Sequence, residues 1–141
     1  MTQYATFKVQ GMLFGVDVQR VQEVIRHQPM TPVPMADAVV RGLINLRGQI
    51  VTALDLRVRL DLGAYQAEAT PMTVVVTTED GPVALLVDEI GDVLSVDQDD
   101  WEPAPSTVQA SVRELIPGAF KFAGQLMLQL DVDRVLELAA A

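Results

Sequence analysis

Apolar and polar residues alternate along much of this chain, and the alternation predicts β-strands. Ala5 and Phe7 alternate with polar neighbours, which is the period-two pattern of a half-buried strand. Residues 73–78 are rich in β-branched side chains, and residues 83–87 form a short apolar run. Between them lies Glu-Asp-Gly-Pro at residues 79–82, which is a strong turn signal. The pattern therefore predicts a mostly β protein built from short hairpins.

Three short helices are predicted among the strands. Residues 56–60 are expected to form one helical turn, and Asp131 is placed to cap the last helix. Asp17 is predicted to cap a longer helix that Pro29 ends. The apolar face of this longer helix carries Val18, Val21, Val24 and Ile25.

The chain contains a faint copy of itself. Residues 42–51 align with residues 118–127, and a Leu-Asp pair follows each segment at the same distance, so the offset is 76 throughout. Upstream, residues 13–17 align with residues 84–88 at an offset of 71. We interpret the two matches as the trace of a duplicated unit.

Each copy is predicted to contain a hairpin, whose turn is Arg47-Gly48 in the first copy and Ala123-Gly124 in the second. Glycine at the matched place indicates a backbone position with positive φ. Because the second copy turns without an arginine, Arg47 has two open interpretations: it contacts a partner, or it bonds locally. The local candidates are Glu23, Asp55 and backbone carbonyls.

A duplicated unit divides the chain into two lobes of roughly 60–70 residues, which is marginal for an independent hydrophobic core. Two small β-barrels that share an apolar surface are therefore favoured over two free domains. Residues 61–72 are the predicted connector. We place lobe one at about residues 13–70 and lobe two at about residues 71–141, which the N-terminal strand can join, within a single domain of residues 1–141.

Charge and composition narrow the function classes. Ten basic residues against nineteen acidic ones give a net charge of −9, which argues against a surface that binds nucleic acid phosphates. A nucleic-acid-binding β-barrel is the alternative of a different class, and it would need a basic face with stacking aromatics. The absence of Cys excludes a disulfide scaffold, a thiolate zinc site and a cysteine nucleophile.

The sequence offers no catalytic group, metal site or cofactor motif that we would assign. His27 follows the predicted helix with no nucleophile near it, so a surface or helix-capping role is favoured over catalysis. Residues 97–102 are the densest acidic cluster, but an EF-hand loop would need glycine and an acid where Glu102 and Val108 stand. We predict a solvated loop there, with Trp101 as its packed anchor. A hydrolase whose acids meet across the lobes is the enzymatic alternative.

Five segments, in order and over nearly the whole chain, resemble the CheW family of chemotaxis coupling proteins. The segments are residues 15–17 (GVD) with 21–24 (VQEV), 41–48 (RGLINLRG), 54–57 (LDLR), 87–94 (VDEIGDVL) and 130–136 (LDVDRVL). The resemblance implies an all-β fold class, with two intertwined SH3-like five-stranded β-barrel lobes and short helices.

The resemblance also implies a function. A CheW-like protein is a non-enzymatic, cytoplasmic adaptor without a cofactor, recruited to membrane receptor arrays without inserting into the membrane. It joins the cytoplasmic tip of methyl-accepting chemoreceptors to the regulatory domain of the histidine kinase CheA, and it binds no nucleic acid. Similar adaptors serve twitching motility and other chemosensory pathways, which is the alternative within this class.

Five positions match those that the family associates with receptor contact: Val21, Glu23, Val24, Gly42 and Arg47. The kinase-binding surface is not assigned, and we expect it on the loops and strands of the second lobe. We hypothesise that a cleft between the lobes, lined by Val21 and Val24, takes the apolar stripe of a receptor's helical hairpin. Arg47 would then bond to a receptor acid or carbonyl at the mouth of that cleft.

Overall fold

A computed structural model describes residues 1–63, 65 and 69–137. Residues 64 and 66–68 of the predicted connector lie outside the described residues. The described strands are β1 (Thr2–Val9), β2 (Met12–Asp17), β3 (Val21–Ile25), β4 (Val40–Leu46), β5 (Gln49–Asp55), β6 (Met72–Thr78), β7 (Gly81–Val87), β8 (Glu89–Val96), β9 (Trp101–Pro103), β10 (Gly118–Phe122) and β11 (Gln125–Gln129). The described α-helices are α1 (Leu56–Arg59), α2 (Ala110–Arg113) and α3 (Val132–Val135).

The strands form two sheets that interleave the two halves of the chain. Sheet one has the order β8-β1-β2-β11-β10-β9, and sheet two has the order β3-β6-β7-β5-β4. The first hairpin, β1–β2, therefore completes a sheet made mainly by the C-terminal half, and β6–β7 completes the sheet of the N-terminal half. The predicted all-β fold with two intertwined lobes and short helices is confirmed.

The duplication is visible in the strand registers. In the β4–β5 hairpin Gly42 faces Ala53, and in the β10–β11 hairpin Gly118 faces Gln129, so the offset of 76 holds in three dimensions. Ala53 pairs in parallel with Ala84, and Gln129 pairs in parallel with Gly15. These pairings put the upstream equivalents 69 residues apart. The offset of 71 proposed from sequence is therefore wrong by two residues, a shift that keeps each side chain on the same face of its strand.

Each lobe is closed by a connecting segment rather than by pairing of its two edge strands. In the described residues strand pairing leaves both sheets open, which corrects the expectation of closed five-stranded barrels. The edge strand β8 continues through a 3₁₀ turn, Gln98–Asp100, into β9, the strand at the opposite edge of the same sheet. In the other lobe β3 leads to Thr31, which forms a bridge with Leu43 of the edge strand β4.

Two matched glycines allow this closure. A Cβ at Gly42 would lie 2.8 Å from the carbonyl oxygen of Thr31, so the returning segment packs directly on the glycine. A Cβ at Gly118 would collide with the indole of Trp101 in β9. The indole Nε1 donates to Gln129 Oε1 at 2.8 Å, and Gln129 Nε2 donates to the Tyr4 hydroxyl at 3.0 Å. Trp101 thus packs on Gly118 while staying 40% exposed, and it lies in strand β9. Residues 97–100 are exposed, as the predicted solvated loop requires, but Trp101 and Glu102 belong to the strand.

Three apolar clusters lie inside the described part of the chain, as expected of two lobes that share a surface. The largest, the junction core, combines side chains of both sheets and includes Phe7, Phe14, Leu54, Val74, Val76, Leu85 and Leu128. The core of sheet two includes Ile44, Leu46, Val51, Val75 and Leu86. The core of sheet one consists of Tyr4, Val96, Phe120 and Met127.

The helix predicted from Asp17 onward is wrong. Asp17 caps only the 3₁₀ turn Val18–Arg20, accepting from Gln19 N at 2.9 Å, and the chain then continues as strand β3. Pairing of β3 with β6 supplies the backbone hydrogen bonds that a helix would have made locally, so tertiary context overrides the 3.6-residue periodicity. His27 consequently follows a strand, which removes the helix-capping interpretation.

Helices α1 and α3 agree with the sequence, whereas α2 was not predicted. Asp55 caps α1 by accepting from Val58 N, and Asp131 caps α3 by accepting from Arg134 N. Both predicted hairpin turns have positive φ at both positions: 52° and 85° at 47–48, and 47° and 79° at 123–124. This pair of angles is typical of a type I′ turn, which matches the twist of the flanking strands.

Candidate partner-binding surface

An ion pair joins the two edges of sheet two. Arg47 stands in the β4–β5 turn, and Glu23 lies in β3 at the other edge of the sheet. Arg47 Nη1 donates to Glu23 Oε2 at 2.6 Å and Nη2 donates to Oε1 at 2.5 Å, which is the bidentate geometry of a guanidinium on a carboxylate. The Arg47 side chain is 71% exposed and that of Glu23 is 18% exposed. Arg47 therefore does bond locally, while most of its surface faces solvent.

The pair leaves an electrostatic signature on the carboxylate. The hydrogen bonds from Arg47 lower the pKa of Glu23, and the same bonds raise the pKa of the guanidinium. Solvent screens an exposed pair strongly, so we expect the pair to orient the Arg47 side chain more than to stabilise the fold. The pair therefore presents a charged side chain of fixed orientation at the edge of sheet two, and we call this edge the rim of sheet two.

A bulge in β3 sets the directions of its side chains. Val21 pairs with Val76 and Val24 pairs with Val74, while Glu23 faces Val75 across an irregular step in the register. Residues that pair directly share a face of the sheet, so Val21 and Val24 lie on one face and Glu23 lies on the other. The bulge thus places two valines three positions apart on the same side, which mimicked a helical face in the sequence.

That shared face is the one directed toward the junction of the lobes. Val74 and Val76 belong to the junction core, and Val21 packs against that core while half-buried. Val24, nearer the end of the strand, is 41% exposed. The apolar surface available to a partner at this rim is therefore Val24 rather than Val21.

Gly42 is buried and does not reach the surface. Its contribution is the close approach of Thr31 described above, which positions the segment that closes the lobe. Of the five predicted positions, the structure brings Glu23 and Arg47 into contact and exposes Val24, which follows Glu23 in sequence but lies on the other face of the sheet. Val21 and Gly42 lie beneath this surface and support it. The assignment of all five to a receptor remains a prediction.

The corresponding region of sheet one differs in kind. By the two offsets, Asp92 corresponds to Glu23 and Ala123 corresponds to Arg47, so these two positions cannot form the equivalent ion pair. A cleft of about 320 Å³ lies in this place, lined by Asp92, Ala123 and Phe122 among others. Phe122 is 40% exposed and Leu126 is 37% exposed on the same hairpin. Sequence reasoning assigned no function to Asp92, Phe122 or Leu126, which the two offsets match to Glu23, Leu46 and Ile50.

A second ion pair, also missed from sequence, ties the sheets together at the chain crossing after β7. Arg57 of α1 donates from Nε and Nη2 to the two oxygens of Asp88, each at 3.0 Å. The Tyr65 hydroxyl donates to the same carboxylate at 2.6 Å, as does Gln10 N of the first hairpin. Burial opposes ionisation of Asp88, but the hydrogen bonds from Arg57 and Tyr65 outweigh it and lower the pKa of Asp88.

No group of three or more potential metal-ligating side chains comes together within the described part of the chain. His27 is half-buried in the β3–β4 connection, and its Nδ1 makes no hydrogen bond. Among the described helices, none is long and apolar enough to cross a membrane.

Comparison with known proteins gives a consistent result. Residues 3–140 match the family model of the CheW-like domain. A chemotaxis protein CheW of Rhizobium meliloti (strain 1021) is 31% identical over 129 residues, covering 92% of this chain and 83% of that protein. One from Bacillus subtilis (strain 168) is 31% identical over 131 residues, covering 93% and 84%. The solved scaffolding protein TtCheW from Thermoanaerobacter tengcongensis superposes with a TM-score of 0.87 at 24% identity, over 99% of this chain and 95% of that one.

Proposed function

Because this chain belongs to the CheW-like domain family of chemotaxis scaffold proteins, we propose that it couples chemoreceptors to the histidine kinase CheA. The observation that supports binding of two different partners is the difference between the two lobes. Two lobes of the same build carry unlike hairpin tips, one closed by Arg47 on Glu23 and one open beside Ala123. A protein with two distinct surfaces suits two distinct partners, and the adaptor performs no reaction of its own.

The receptor surface that we propose is the rim of sheet two. Val24 supplies exposed apolar area next to the junction, and Arg47 supplies a charge held in place by Glu23. The cytoplasmic tip of a receptor is a helical hairpin, and a helix can lay its apolar stripe against Val24 while Arg47 bonds to an acid or a carbonyl. Val21 and Gly42 act indirectly, by fixing the strand and the segment behind this rim.

The kinase surface that we propose is the β10–β11 hairpin of sheet one. Phe122 and Leu126 are exposed apolar side chains of this hairpin, and Phe122 also lines the open cleft. Exposed aromatic and aliphatic groups of this kind are typical anchors of protein interfaces. The regulatory domain of CheA is the partner that we assign to this hairpin.

Each of these contacts is expected to be weak by itself. An interface of micromolar affinity corresponds to roughly −8 kcal/mol. Several weak contacts within one assembly raise the effective concentration of each partner, so the assembly holds without a tight pair. We accordingly propose a cytoplasmic protein that is recruited to membrane receptor arrays by its partners.

Co-sedimentation tests the proposal directly. The protein is mixed with membranes that contain a chemoreceptor and with CheA, and both the pelleted fraction and kinase activity are measured. We expect CheA to pellet, and its activity to respond to receptor ligand, only when this protein is present. If the protein pellets with neither partner, the proposed coupling is wrong, and receptors of another chemosensory pathway, such as twitching motility, are the next to test.

A further inference from the structure

The cleft in sheet one lies where the other lobe is filled by its own arginine. It is bounded by β8, which carries Asp92, and by the β10–β11 turn, which carries Ala123 and Gly124. In sheet two the equivalent strand carries Glu23 and the equivalent turn carries Arg47, whose guanidinium spans the gap. The two lobes therefore share one architecture, and the gap between strand and turn is filled by an arginine in sheet two and unfilled in sheet one.

Sheet one has an acidic residue, Asp92, at the position of Glu23, although Ala123 stands at the position of Arg47. Asp92 is exposed, and its backbone oxygen, not its carboxylate, accepts the hydrogen bond from Thr6. The neighbouring Thr6 hydroxyl and Gly91 hold this strand tightly against β1, since a Cβ at Gly91 would lie 2.5 Å from that hydroxyl. The carboxylate of Asp92 is consequently carried by a rigid backbone at the mouth of the cleft.

We propose that this cleft takes an arginine side chain projected by a partner protein, whose guanidinium occupies the place that Arg47 holds in the other lobe. Arg47 in the other lobe is the example within this chain of a side chain that fills such a gap. Partner identity rests on the proposed function, whereas recognition of arginine at this cleft does not.

The lining of the cleft fits a guanidinium better than an ammonium. Phe122 and Leu13 provide apolar surface for the aliphatic stem, and an aromatic ring favours a planar guanidinium stacked on it. The charged side chains at the cleft are Lys8, Glu89 and Asp92, so its formal charge is negative. Lys8 and Glu89 are direct neighbours across β1 and β8, which leaves Asp92 as the acid next to the turn.

Titration with arginine amide, followed by NMR of the backbone amides, tests the recognition itself. Citrulline amide, which has the same shape without the charge, is the matched control ligand. We expect arginine amide to shift the Gly91, Phe122 and Gly124 signals with a dissociation constant on the order of 10 mM, since a single exposed charge binds weakly. Citrulline amide should shift them much less, and Asp92→Asn should remove the difference.

The other lobe provides a positive control within the same molecule. In the wild-type protein the Gly48 signal should not respond, because Arg47 already fills its site. In Arg47→Ala the Gly48 signal should respond to arginine amide, as a rescue of the deleted side chain. If Arg47→Ala responds at Gly48 while Gly91 and Gly124 stay silent in the wild type, the cleft does not recognise arginine and the proposal is wrong.

Ala123→Arg closes the cleft from within. The backbone at 123 has a φ of 47°, close to the 52° at Arg47, so an arginine is sterically acceptable there. The variant should pair with Asp92, lose the response to arginine amide, and pellet several-fold less CheA, and Ala123→Gln, which adds a side chain of similar kind without the charge, should reduce pelleting less than Ala123→Arg does. Wild-type protein that fails to pellet CheA would refute the proposed function alone. Equal pelleting by wild type and Ala123→Arg would refute the arginine contact.

Discussion

Two glycines, Gly42 and Gly118, allow the lobes of this protein to close. Gly42 and Gly118 are equivalent by the offset of 76, and each is the point at which a returning segment packs directly on a hairpin strand. The sequence marked both glycines through the repeat but could not reveal why they are glycine. The reason is an approach between segments 11 and 17 positions apart, which local pattern does not encode.

Gly118→Ala tests this role with the single tryptophan as reporter. The added methyl group would overlap the indole of Trp101, so Trp101 must move or the core must shift. We expect a loss of about 1–3 kcal/mol in the free energy of unfolding, the usual cost of overpacking. The fluorescence maximum of Trp101 should also change as its bond to Gln129 breaks. In a Trp101→Ala background the same glycine substitution should cost much less; an equal cost would show that the indole is not the obstacle.

Arg47 illustrates a residue whose local interpretation is confirmed and whose contact with a partner stays a prediction. It bonds to Glu23, as the local interpretation required, and it remains exposed enough to meet a partner. Arg47→Ala should leave the melting temperature nearly unchanged and weaken receptor pelleting. Arg47→Lys is the matched control, because it keeps the charge and loses the bidentate geometry. A melting temperature that falls in step with binding would assign Arg47 to the fold instead.

The pKa of Glu23 gives an independent measure of the same pair. Arg47 lowers this pKa in the folded protein, so the pair contributes fully above the unfolded value and is lost as pH falls through the folded one. In Arg47→Ala the pKa of Glu23 should therefore rise toward its usual value. A titration of the carboxylate carbon by NMR measures the change. An unchanged pKa would mean that the ion pair is not formed in solution.

At the scale of elements, the two chain crossings are held by ion pairs of opposite polarity. Arg57 of α1 binds Asp88 at the crossing after β7, and Asp133 of α3 binds Arg20 at the crossing after β2. Arg57 and Asp133 are equivalent by the offset of 76, so the helix carries the cation in one copy and the anion in the other. The first pair is largely covered, with exposures of 27% and 22%, whereas Asp133 is 72% exposed.

Asp88→Asn should consequently matter more than Asp133→Asn. Asp88 accepts from Arg57, Tyr65 and Gln10, and loss of its charge-assisted hydrogen bonds should reduce the free energy of unfolding by about 2 kcal/mol. Because the pKa of Asp88 is lowered in the folded state, this contribution is present at neutral pH and declines below roughly pH 4. Urea unfolding at pH 7 and pH 3 measures it. Similar losses for the two variants would contradict the contrast drawn from burial.

Elements were predictable where their signals are local. The caps Asp55 and Asp131 and the turns at 47–48 and 123–124 depend on residues within a few positions of each other. The β3 strand was mistaken for a helix because its bulge places Val21 and Val24 on one face, a spacing that a helix also produces. Period alone cannot separate a helix from a bulged strand, and only the pairing with β6 decides.

At the scale of the whole molecule, composition and the internal repeat predicted two β lobes but not how they exchange strands. Partner choice between strands far apart in sequence depends on the complete core, which no local window contains. The junction core takes Phe7 and Phe14 from the first hairpin and Leu54 and Val74 from sheet two, so neither half of the chain buries its apolar face alone. The boundary between the lobes, placed at about residue 70 from the sequence, stays a prediction.

Fragments test that dependence. A peptide of residues 1–70 contains β1–β5 but lacks every strand that flanks its first hairpin in sheet one, and it should be unfolded by circular dichroism. Mixing it with residues 71–141 should restore the native spectrum, with an affinity set by the buried junction. Residues 1–70 folding cooperatively without the second fragment would show that the exchange of strands is dispensable.

The place of β2 in sheet one also has a consequence for synthesis of the chain on the ribosome. β2 takes its parallel neighbour from β11, and β1 takes its outer neighbour from β8, whereas sheet two has all its strands once Val87 has been added. Hence the hairpin that emerges first is among the last to be enclosed. Until Gln129 leaves the exit tunnel, a nascent chain carries one finished sheet beside a hairpin with bare edges, the state in which chaperones protect growing polypeptides from one another.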